Sequence, residues 1–210
     1  MGRAPNNAFL MPIGDAKQAA LATLLAAALV LGAGPPTMSA AMAGDVAAGA
    51  TQPAAEPQGY RMDNYRSPVP ATLKGAKVLT PDAAADLWNK NAATFIDVFP
   101  QAPKPANLPA GTFWRDPVHR SIEGAHWMPN VGYGALSDAM ADYFATRLER
   151  LTGSKREAPL VFFCLRDCWM SWNAAKRAVA LGYTNVMWFS DGTDGWQELG
   201  YPLIDVKKTP

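Results

Sequence analysis

The chain predicts an α/β fold of three layers, with a central, mostly parallel sheet flanked by helices on both faces. Two observations carry this. Thr94-Phe-Ile-Asp-Val98, Pro159-Leu-Val-Phe-Phe163 and Asn185-Val-Met-Trp-Phe189 are short bulky apolar runs, the pattern of strands buried on both faces. Between them lie segments with helical spacing and clear start and stop signals, and alternation of this length builds a parallel sheet.

The elements follow in order. Tyr60 to Ala71 is extended, carries two tyrosines and reads as a strap across the surface. Lys77-Val-Leu79 is a short strand. Thr80-Pro81-Asp82 opens a helix that runs to about Lys90, with proline at the first helical position and an acid after it. Thr94–Val98 is a strand ending on the carboxylate of Asp97, and Pro100 to about Pro117 is too rich in proline to form an element. Ile122 to Pro129 reads as a turn, a short strand and a stop. Ser137 caps a helix reaching about Leu151, on which Met140, Phe144, Leu148 and Leu151 share a face. After Phe163 comes Cys164-Leu-Arg-Asp-Cys168-Trp169, then a helix from Ser171 closed by Gly182, with an apolar stripe through Ala174, Ala175, Ala178 and Leu181. The last strand is followed by a glycine-rich tail, Ser190 to Trp196.

The N-terminus is set apart from this fold. Lys17, the apolar run Ala19 to Leu31 and the small-residue pattern Ala41-Met-Ala43 read as a secretory signal peptide over residues 1–43. The run is short of the ~20 residues that a membrane span needs, so the expectation is export with cleavage and no membrane contact afterwards. Residues 44–59, mostly Ala, Gly, Pro and Gln, read as a flexible linker, and residues 60–210 as one domain. Cleavage removes Arg3, Lys17 and Asp15 from 19 basic and 18 acidic residues, leaving the two signs equal. That balance gives no electrostatic basis for binding nucleic acid or an anionic membrane.

Cys164 and Cys168 are the chain's 2 cysteines, so any thiol chemistry belongs to them. Their position between a strand and a helix puts them in the electropositive end-field of the helix, which favours thiolate. In an oxidising compartment two such thiols tend to pair, and a structural disulfide is the plain alternative. Closing so short a loop stabilises by only ~2 kcal/mol, a thin reason for the bridge on its own. Cys168 is well placed to resolve a sulfenate or persulfide on Cys164. The Cys-x-x-x-Cys spacing falls within the zinc range, but His119 and His126 lie far off in sequence, and neither a metal nor a cofactor is expected.

Together these segments resemble the rhodanese-like domain over roughly Lys77 to Leu203. Ile96-Asp-Val98 is similar to the family's strand-ending aspartate motif, Ile122-Glu-Gly-Ala125 to its Ile-Pro-Gly-Ala turn, and Cys164 stands where its catalytic cysteine does. Asp191-Gly-Thr-Asp-Gly-Trp196 and Leu199-Gly-Tyr-Pro202 resemble its Gly-Gly-x-x-x-Trp and Ala-Gly-Tyr-Pro ending. The block from Cys164 to Arg177, with Phe113-Trp-Arg-Asp-Pro117 and Pro129-Asn-Val-Gly-Tyr-Gly134, resembles the exported rhodanese-like CXXCW-motif proteins associated with pyrroloquinoline quinone (PQQ)-dependent catabolism.

The resemblance implies a sulfurtransferase-like site, with Cys164 as primary thiol and the loop amides and Arg166 as anion stabilisers. Arg166 would serve if it turns inward, and otherwise is solvated or paired with Asp167. Asp97 either holds the cysteine loop through backbone N–H groups or makes a local turn contact. From Cys164 to the helix-opening Ser171 the spacing is seven positions, one more than is typical of the sulfurtransferases and similar to the rhodanese-fold phosphatases. Those enzymes need an arginine near the loop's end, where this chain has Trp169 and Met170, so phosphatase activity is not expected. Trp169, Asp167 and His126 are the candidate substrate- or partner-facing residues, with Trp169 either exposed for docking or packed under the loop. The implied partners are a small sulfur species or a protein disulfide. The competing class is a non-catalytic module whose cysteines form a permanent disulfide and which docks on a quinoprotein dehydrogenase or its cytochrome c.

Overall fold

The computed structural model describes residues 54–210. The signal peptide expected over residues 1–43, and residues 44–53 of the expected linker, lie outside the described residues. The elements are β1 (Ala76–Leu79), α1 (Pro81–Asn89), β2 (Thr94–Asp97), β3 (His119–Ser121), β4 (His126–Trp127), α2 (Asp138–Thr152), β5 (Leu160–Phe163), α3 (Trp169–Ala180), β6 (Val186–Phe189), α4 (Gly192–Glu198) and β7 (Ile204–Val206). Five of the strands form one parallel sheet in the order β1-β6-β5-β2-β4. β3 and β7 pair antiparallel in a separate ribbon. No helix among the described residues is long and apolar enough to cross a membrane.

Period-two alternation divides the core between the sheet's two faces. Ile96, Leu160, Phe162, Val186 and Trp188 pack with Phe144 and Leu148 of α2 and with Trp172, Ala174, Ala175 and Ala178 of α3. Their neighbours Phe95, Val161, Phe163, Met187 and Phe189 pack on the other face with Ala84 and Ala85 of α1 and Trp196 of α4. The expected three layers are present. The caps form as the sequence predicts: Thr80 accepts from the Ala83 N–H at 3.3 Å, and Ser137 from that of Met140 at 3.3 Å. Gly153 closes α2 at φ 58°, the left-handed conformation that glycine adopts without cost.

Three elements escaped the sequence reading. The expected tail after β6 folds into α4, and β3 and β7 are three-residue strands with no apolar run to announce them. Helix α3 begins at Trp169, two residues before Ser171, with Cys168 at its N-cap position.

The strap is present and begins earlier than Tyr60. Ala54 pairs with Pro70, Glu56 accepts from the Lys74 N–H (2.7 Å) and the Thr72 hydroxyl (2.8 Å), and Lys176 Nζ donates to the Pro57 carbonyl (3.2 Å). The part of the expected linker that is described is therefore tied to the fold by specific hydrogen bonds. Asn173, fully buried on α3, clasps the strap: its Oδ1 accepts from the Arg61 N–H, and its Nδ2 donates to the carbonyls of Arg61 and Gly132, each at 2.9 Å. Trp172 Nε1 donates to the Thr72 carbonyl (3.1 Å), and Trp169 Nε1 to Ser67 Oγ (3.0 Å).

Candidate functional site

The cysteine loop is built by the end of β5 and the start of α3. Cys164 and Cys168 are joined by a disulfide, and each is almost completely buried, at 1% and 2% exposure. The turn reverses at Asp167, whose φ of 54° makes it the exposed apex. Because α3 starts at Trp169, the segment between strand and helix is shorter than the spacing to Ser171 implies.

The loop amides face other acceptors. The Arg166 N–H donates to Asp194 Oδ2 (2.9 Å), the Trp169 N–H to the Tyr65 carbonyl (3.0 Å), and the Cys164 carbonyl accepts from the Thr193 N–H (2.9 Å). Gly192 sits at φ 51° against the Cys164 carbonyl, so closely that a Cβ there would collide with it. Ser171 Oγ donates to the Cys168 carbonyl and accepts from Trp188 Nε1, both at 2.9 Å. On the solvent side, Arg66 of the strap pairs with Cys168. The disulfide is thus enclosed by the sheet beneath, by α4 on one flank and by the strap above.

Arg166 turns neither toward the sulfurs nor to Asp167. Its Nε donates to Asp191 (2.8 Å), and its two terminal nitrogens form a bidentate pair with Glu198 (2.6 Å each). Hydrogen bonds to Glu198 and then Asp191 hold the guanidinium above its ordinary pKa, and the same pair holds Glu198 below its own. The reason is tertiary: α4 and its N-cap residue Asp191, a stretch whose glycines read as a tail, bring both acids to Arg166. The role of anion stabiliser does not fit this side chain.

Trp169 is buried at 2% exposure, edge-on to Trp172 with centroids 5.5 Å apart and with Arg61 over its ring at 5.1 Å. Of its two expected placements, packing is the one observed. It presents no docking surface, because the strap needs an apolar floor. His126 lies on β4, half-buried, and lines a pocket with Trp88, Thr94 and Glu123; burial, then the charge of Arg147, lowers its pKa. It makes no hydrogen bond with the cysteine loop.

Asp97 is fully buried, and of its two expected placements the local turn contact is the one observed, joined by two side chains distant in sequence. Oδ1 accepts from the Phe99 N–H (2.8 Å), while Oδ2 accepts from Ser121 Oγ and meets His119 Nε2 at 2.7 Å. No backbone group of the cysteine loop reaches it. The His119 ring is stacked on Phe99 (centroids 5.0 Å, 6° between planes) and tilted against Trp127 at 4.4 Å. A buried carboxylate that orients an imidazole is a recurring device for positioning a base or a hydrogen-bonding group. His119 and Trp127 line two adjoining cavities of about 310 and 510 Å³, and no residue of the cysteine loop lines either. The sequence favours His126 over His119 because His126 follows the turn at a strand end; the short strand β3 that carries His119 follows a proline-rich stretch and has no apolar run to mark it. The signal that could have found His119 is its alternation with Ser121, which sends both side chains to one face.

No family model matches the chain, and no curated protein matches it. Among solved structures, the chain is similar to the polysulfide-sulfur transferase homodimer of Wolinella succinogenes at 21% identity, with 63% of this chain and 80% of that chain covered and a TM-score of 0.38. It is also similar to an uncharacterized protein from Saccharomyces cerevisiae at 16% identity, over 60% of this chain and 93% of that one, with a TM-score of 0.38. The fold assignment rests on sheet order and helix placement.

Proposed function

We propose that the chain is an exported rhodanese-like protein that works by thiol–disulfide exchange at Cys164–Cys168, in support of PQQ-dependent alcohol oxidation. One observation carries the chemistry: the two cysteines are bonded to each other at the N-cap of a twelve-residue helix. A partner thiolate attacks the Cys164 sulfur, forming a mixed disulfide and releasing Cys168 as thiolate at the helix N-terminus, where the end-field favours the anion. A second partner thiolate then displaces Cys164. The partner dithiol leaves as a disulfide, and the cysteine pair is left reduced.

Sulfur transfer from a small anion is the weaker form of this reading, because Arg166 is engaged by Asp191 and Glu198 and two loop amides already have acceptors. A second reading, a non-catalytic module docking on a quinoprotein dehydrogenase or its cytochrome, draws support from the burial of both sulfurs beneath the strap. Thiol trapping across a dithiothreitol ladder, read by mass spectrometry, separates the two. A midpoint potential above about −200 mV, in the range of exchange-active oxidoreductases, supports exchange; one below about −300 mV marks a structural bridge and favours the docking module.

A further inference from the structure

The cavity at His119 lies apart from the cysteine chemistry and is not used by it. We propose that it binds a small, neutral, largely apolar molecule carrying one hydroxyl, of the phenol type.

Four observations converge on that ligand class. The first is shape and surface: the 310 Å³ cavity is walled by the rings of Phe99, Trp127 and Tyr133 and by the prolines at 100, 103 and 117. Flat apolar walls suit a flat apolar body, and the volume lies at the small end of ligand sites. The second is charge. Apart from the histidine, no carboxylate, ammonium or guanidinium side chain lines this cavity; Asp116, Asp205, Lys207 and Lys208 line only its outer neighbour. A buried ionic group would therefore find no counter-charge here.

The third observation is the polar group itself. Asp97 and two aromatic rings fix His119, so a ligand meeting it loses little freedom in the protein. The fourth is its open valence. Nε2 is engaged by Asp97, and Nδ1 has no hydrogen-bond partner among the described residues. Tyr183 Oη is the one buried side-chain oxygen or nitrogen without a partner among those residues, so Nδ1 is not sealed by protein, and the spaces that His119 borders are these two cavities. A hydroxyl satisfies Nδ1 in either of its states, donating to the lone pair of the imidazole or accepting from the N–H of the imidazolium. An ether or a hydrocarbon cannot do both.

The test is titration of the oxidised protein with 4-methylphenol and with toluene, followed by amide shifts in heteronuclear NMR. Saturable binding of the phenol is expected, about tenfold tighter than toluene, with shifts centred on Phe99, Val118, His119 and Trp127. His119→Phe should bring the two ligands to equal affinity. Val118→Trp, at a 73% exposed position on the rim, should block both without touching the core. Toluene binding the native protein as well as the phenol overturns the proposal. So does a lack of saturation by about 10 mM, or shifts centred elsewhere. The comparison of the two ligands on the native protein decides the matter even if the His119 variant fails to fold.

Discussion

The cysteine loop and the His119 cavity both sit at the carboxyl ends of neighbouring strands, β5 and β2, where α/β sheets place their ligands. They are finished in opposite ways. Around the disulfide, polar groups are satisfied by protein: Arg166 by Asp191 and Glu198, the Arg166 amide by Asp194, and the Trp169 amide by Tyr65. Around His119 one nitrogen is fixed by a buried carboxylate and the other is left open in an apolar space. The difference comes from what covers each strand end. A clasped strap lies over Cys168 and α3, whereas an irregular proline-rich segment lies beside β2. Closure of this kind confers stability, and an open valence in a fixed ring confers binding.

The comparison breaks most easily at the strap's floor. Trp169→Ala is expected to lower unfolding free energy by about 3–5 kcal/mol, measured in urea, because it removes a buried indole and the Ser67 bond together. Val118→Ala, on the cavity rim, should change it by less than about 0.5 kcal/mol. Equal losses would mean that the two regions are not built differently.

Replacing Cys164 and Cys168 together with serine should cost more than the ~2 kcal/mol of so short a closed loop, because two hydroxyls take the place of buried sulfurs. Phenol binding at His119 should be unaffected, since the two sites share no lining residue. A large loss of that binding would show the sites to be coupled.

Arg166→Ala sharpens the chemistry of the loop. Its side chain is 40% exposed, so solvent screens its ion pairs and stability should fall by no more than about 1 kcal/mol. Alkylation of the reduced protein should change less than about twofold, a factor worth only ~0.4 kcal/mol of barrier. A much slower reaction would mean that the guanidinium turns toward the sulfurs once they are reduced.

The smallest effect is on pH dependence. The Lys74 amide, and then the Thr72 hydroxyl, hold the Glu56 carboxylate below its ordinary pKa. A group depressed in the folded state contributes stability above its unfolded value and loses it as pH falls through the folded one. Protection of strap amides from hydrogen exchange, corrected for intrinsic rates, should therefore weaken by a small factor between about pH 6 and about pH 3. Glu56→Gln should remove most of that change at Lys74 and Thr72.

Strands β2, β5 and β6 were legible because a strand buried on both faces must be continuously apolar. Helices α1 and α2 were legible because their caps and stripes are local chemistry. The cysteine pair was legible for the same reason: both thiols lie within one turn, and no distant contact is needed to bring them together. α4 was missed because its stability comes from Trp196 packing against Trp88, at 5.4 Å, and from the acids it presents to Arg166, not from its glycine-rich sequence. β3 was missed because β7 completes it from the other end of the chain.

The sequence by itself determined the layered α/β architecture, the order of its main elements and the one place where thiol chemistry can occur. Tertiary structure alone decided which polar groups are already satisfied. It turned Arg166 away from the sulfurs, gave Asp97 to His119 and buried Trp169. The partners that decided these three placements lie tens of positions away, and spacing along the chain carries no record of them.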